Sequence, residues 1–78
     1  MKKDYQISKI NTYDKYLFFH LTDAVSYSDK KASYITLLNK PLLSIYKAGD
    51  IISIDDGIMA GHKSSDVFGE DAVSRRSI

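Results

Sequence analysis

The sequence predicts a mainly β fold, a small five-stranded Greek-key barrel with one short helix between its third and fourth strands. Three observations predict it. Residues 15–23 alternate strictly, with Leu17, Phe19 and Leu21 on one face and Tyr16, Phe18, His20 and Thr22 on the other, the period of a half-buried strand. Residues 32–55 change period twice: β-branched and aromatic residues at Ser33–Leu38, the spacing of a helical turn at 41–46, then a β pattern again at 51–54. Finally, 78 residues with no Cys have no disulfide to support a small core, and closing a sheet into a barrel removes its edges.

Taken in order, residues 4–10 hold Tyr5 and Ile7 on one parity and read as a first strand at a sheet edge, followed by the turn formers Asn11-Thr12-Tyr13-Asp14. Residues 15–23 are the second strand. Residues 25–31 place Ser26, Ser28, Asp29, Lys30 and Lys31 around Tyr27, the composition of an exposed loop. Ser33–Leu38 is the third strand. Pro41 suits a first helical turn and biases Lys40 toward extended dihedrals. Leu42, Leu43 and Ile45 are then expected to plug the open bottom of the barrel, each contributing roughly 1.5 to 3 kcal/mol when buried.

Gly49 supplies a residue that takes positive φ before the fourth strand at 51–54. Asp55-Asp56-Gly57 reads as a turn and Ile58-Met59-Ala60 as a short returning strand. From Ser64 the chain is polar, with Val67, Phe68 and Val73 as apolar anchors. The expected division is a barrel over residues 1–63 and a polar, flexible tail over 64–78.

Charge is nearly balanced at +1 but unevenly placed. Residues 1–47 carry eight Lys against four Asp, whereas residues 48–78 carry three basic against six acidic groups. A basic first half suits a polyanion, though exposed Lys also serves solubility. The two His are far apart and there is no Cys, a poor basis for a metal site. Asp50, Asp55 and Asp56 would suit a hard cation, but turn chemistry explains them more simply. There is no phosphate-cradling Gly loop and no local Ser, His and Asp signature. The expectation is a protein that is not an enzyme and holds no cofactor. With no apolar run long enough to cross a bilayer, it is expected to be a soluble intracellular protein, cytoplasmic or nuclear.

Lys-Tyr-Leu-Phe-Phe-His-Leu-Thr-Asp at 15–23, Tyr-Ile-Thr-Leu-Leu-Asn at 34–39 and Ala-Gly-Asp-Ile-Ile-Ser-Ile at 48–54 together resemble the single-stranded-DNA-binding OB domains of replication protein A and telomere-end-binding proteins. The likeness covers roughly residues 5–62. It implies an OB-fold, whose helix sits between the third and fourth strands and whose second and third strands bind ligand. The loop after Asp23 lacks the small Gly-containing turn common in that family, and the region after the fourth strand is short and acidic. A competing SH3-like barrel also uses Gly-Asp before a strand, but does not readily explain the Pro-started helical turn.

A single-stranded nucleic acid is held by aromatic faces for bases and cations for phosphates. The candidates are Tyr16, Phe18, His20, Tyr27 and Tyr34, flanked by Lys30, Lys31, Lys40 and Lys63. The expected ligand is single-stranded DNA or RNA. The same aromatics also read as cover for a thin core, and His20 as a satisfied structural residue. The alternative reading is a protein-interaction module, an accessory or inhibitory subunit that docks a larger protein partner through a sheet edge or the aromatic patch.

Overall fold

The alternation of Leu17, Phe19 and Leu21 does put all three in a core, and the strand that carries them pairs on both sides. The computed structural model describes residues 1–23 and 33–75. It shows β1 (Lys2–Thr12), β2 (Tyr16–Asp23), β3 (Ser33–Leu38), β4 (Ile51–Asp55) and β5 (Val73–Arg75). These form one antiparallel sheet in the order β3-β2-β1-β4-β5.

β1 sets the curvature. It pairs β4 from Lys2 to Gln6 and β2 from Tyr5 to Thr12, and its register against β2 shifts between Ile7 and Lys9. The extra residue of such a bulge reverses side-chain parity and bends the strand. Tyr5 and Ile7 are buried before the bulge, and Ile10 packs on the core after it. The sheet therefore curls into a half-barrel. β3 meets the segment before β5 at a parallel bridge, where Phe68 N–H donates to Thr36 O and Leu38 N–H to Phe68 O, each at 2.9 Å.

The concave side is filled by Leu17, Phe19 and Leu21 of β2, Ile35 and Leu37 of β3, Ile52 and Ile54 of β4, and Val73 of β5. No polar or charged residue is buried with them among the described residues. Burial on this scale, at roughly 1.5 to 3 kcal/mol per large apolar side chain, is what holds a cysteine-free chain of this length together.

Several expectations are corrected. β1 lies at the centre of the sheet, not at its edge, because its 11 residues are long enough to pair two neighbours at different heights. The helical turn after β3 is a 3₁₀ turn, Pro41–Ile45, with Lys40 extended at φ −122° and ψ 147° and Pro41 at its start. Of the three expected plug residues only Leu43 is buried, at 3% exposure, while Leu42 is 67% and Ile45 54% exposed. In a 3₁₀ turn side chains three apart eclipse, so a five-residue piece aims only one of these three at the core.

Residues 58–60 are not a strand but part of α1 (Asp56–Gly61). Asp55 Oδ1 accepts the Gly57 N–H at 2.8 Å and caps that helix. Ile58 and Met59 both pack against the core; consecutive residues share one side on a helix and oppose each other on a strand. The fifth strand comes later, at Val73–Arg75, within the stretch expected to be a polar tail, and a 3₁₀ turn at Glu70–Ala72 leads into it. Phe68 and Val73, the apolar anchors of that stretch, attach it to β3 and β4.

Candidate nucleic-acid interface

Because Leu17, Phe19 and Leu21 point inward, Tyr16, Phe18 and His20 share the convex face of β2, and Tyr34 joins them from β3. Phe18 and Tyr34 are diagonal neighbours across the β2–β3 pair, their rings stacked at 4.8 Å with 20° between planes. His20 meets Phe18 edge-on at 4.7 Å, and its Nε2 lies 3.3 Å from Asn11 Nδ2. Protein partners thus already engage His20.

Tertiary folding adds two residues that sequence spacing did not place on this face. His62, the C-cap of α1, meets Tyr34 edge-on at 5.1 Å, and Phe68 lies 5.6 Å from His62. The row His20, Phe18, Tyr34, His62, Phe68 spans β2, β3 and the segment after α1. Its hint in the sequence is that His62 and Phe68 are the two ring-bearing residues of residues 61–78. Both ring nitrogens of His62 are shielded from solvent and lack a hydrogen-bond partner among the described residues, an arrangement that costs stability.

The rings differ in what they offer a ligand. Phe18 and Tyr34 each spend one face on the other and are half-buried. Tyr16, directly across from Leu38, is 42% exposed and is the most open ring of the convex face. Lys40 is exposed and follows Asn39, whose N–H donates to Lys15 O at 2.9 Å. It therefore stands with Lys15 at the Tyr16 end. Lys63 is exposed and adjoins His62 at the other end, where Asp66 Oδ2 accepts the Lys63 backbone N–H at 2.8 Å. Exposed cations thus stand beside Tyr16 and beside His62, with Asp14 next to the first and Asp66 next to the second. Tyr27, Lys30 and Lys31 lie outside the described residues.

The carboxylates considered for a cation have local roles. Asp50 Oδ2 accepts the Lys47 N–H at 3.1 Å, Asp55 caps α1, and Asp56 faces the N-terminal ammonium at 3.6 Å. Among the described residues no three His, Asp or Glu side chains gather in a way that would hold a metal ion, and no helix is long and apolar enough to cross a membrane. Comparison with known proteins adds no relative: no family model, curated protein or solved structure matches the chain.

Proposed function

We propose that the chain is a small OB-like module that binds single-stranded nucleic acid across the convex face of β2 and β3. The single observation that carries this reading is the aromatic row on that face, with Tyr16 exposed on the same face of β2 and exposed lysines at Lys15, Lys40 and Lys63. Bases stack on such rings without sequence preference while cations follow the phosphates. The OB reading draws support from the strand order β3-β2-β1-β4-β5, from a long bent β1 shared by β2 and β4, and from the parallel contact between β3 and the approach to β5. A meander of three strands whose first strand also pairs the fourth is how a five-stranded Greek-key barrel is built.

Fluorescence anisotropy with mixed-sequence single-stranded DNA and RNA oligomers tests the reading. Binding is expected at low salt and to weaken with a log-log slope of about −0.7 per phosphate contacted. Tyr16→Ala is expected to weaken it about tenfold, from a stacking contribution of about 1 to 3 kcal/mol per base. His20→Ala is expected to do less, because Phe18 and Asn11 already hold that ring. Absence of binding to both oligomers at low salt would remove the proposal.

A further inference from the structure

Leu42 and Ile45 are large apolar side chains on an exposed turn that neither core nor convex face uses. They stand at the end of the barrel where a half-open cavity of about 270 Å³ is lined by Ile10, Thr12, Leu17, Leu43, Ser44 and Tyr46 among others. Leu17 and Leu43 are buried and form an apolar floor. Tyr13, in the turn between β1 and β2 and 56% exposed, adds a ring at the same end. The cavity is larger than the roughly 150 Å³ that encloses a benzene and smaller than the ~300 to 1,000 Å³ typical of extended small-molecule sites. It suits one bulky side chain.

The surroundings carry charge of one prevailing sign. Lys40 precedes the turn, Lys47 follows it, and Lys15 lies in the β1–β2 connection that accepts the Asn39 N–H; all three are exposed. Against them stand Asp14 and Asp50, and the Asp50 carboxylate is turned to the Lys47 backbone. An apolar socket with exposed apolar neighbours inside a basic border matches the anchor-and-rim construction of protein interfaces.

We propose that this end of the barrel docks an acidic protein segment. One large apolar side chain enters the cavity, neighbouring apolar residues cover Leu42 and Ile45, and flanking carboxylates meet Lys15, Lys40 and Lys47. The surface is distinct from the Phe18 and Tyr34 face and adjoins it at Lys15 and Lys40.

The test is a backbone chemical-shift titration of the full chain with three synthetic peptides: one Trp flanked by Asp and Glu, the same peptide with Ser for Trp, and the Trp peptide with Lys flanks. The acidic Trp peptide alone is expected to shift amides across residues 42–46, and added salt is expected to reverse part of the shift. The Leu42→Ser and Ile45→Ser double variant is expected to weaken it at least about tenfold, since both side chains would be buried in the complex. Lys47→Glu is expected to weaken it further. Both apolar positions are exposed, so the double variant keeps its urea midpoint and its oligonucleotide binding. The proposal is overturned if the acidic Trp peptide shifts no amide of 42–46, if its shifts map to β2 and β3 instead, or if sedimentation shows a dimer that the double variant abolishes.

Discussion

Replacing Leu43 with Ala removes the one side chain of the 3₁₀ turn that reaches the core. Truncation deletes three carbon atoms. At ~0.8 kcal/mol per buried CH₂ the lost transfer energy is about 2.4 kcal/mol. A sealed void would add about 24 cal/mol per Å³, but the space left by Leu43 opens into the cavity of about 270 Å³ that it already lines, and water can enter. The expected loss is about 2 to 3 kcal/mol, toward the low end for Leu→Ala in cores. With a urea m-value of about 1 kcal/mol/M for a chain of this size, the unfolding midpoint falls by about 2 to 3 M. Leu42→Ala, at a side chain 67% exposed, is the internal control and should change stability by under about 0.5 kcal/mol. A loss under about 1 kcal/mol for Leu43→Ala, or equal losses for the two variants, would refute the assignment of Leu43 as the buried anchor of the turn.

Two further outcomes follow from local geometry. Gly49 adopts φ +99°, with nothing within 4 Å of a Cβ built on it, so Gly49→Ala is expected to lose about 1 to 2 kcal/mol in urea unfolding through backbone strain alone; an unchanged midpoint would contradict it. Burial raises the Tyr46 hydroxyl pKa above its usual 10.0, helped by the Asp50 carboxylate and opposed by the Arg75 guanidinium. The folded state then holds its proton longer than the unfolded chain, so this contribution is complete below pH 10 and disappears as pH rises through the folded pKa. Urea midpoints measured across the alkaline range should fall less steeply for Tyr46→Phe, and parallel curves would show that Tyr46 does not contribute.

Much of this fold is legible one strand at a time. A period of two residues is a local property of the backbone, so Leu17, Phe19 and Leu21 identify themselves as core without knowledge of any partner, and so does their opposition to Tyr16, Phe18 and His20. The Pro41 turn and the positive φ at Gly49 are equally local, because they depend on the ring of one residue and the missing Cβ of another. What lies between Asp55 and Val73 was not legible. Asp-Asp-Gly serves a hairpin turn or a helix cap equally well, and only the packing of Ile58 and Met59 on the core selects the cap. A three-residue strand such as β5 has no period to recognise, and exists because β4 offers it an edge.

The candidate site divides the same way. The sequence by itself determined that Tyr16, Phe18 and His20 face opposite to Leu17, Phe19 and Leu21, because alternation decides facing. Only the tertiary structure decided that Phe18 and Tyr34 spend a face on each other, that His62 and Phe68 extend their row, and that Leu42 and Ile45 stand outside the barrel they were expected to plug. These are contacts between residues distant in sequence, and distances of that kind are set by the bulge and curl of β1, not by any local preference of the residues that meet.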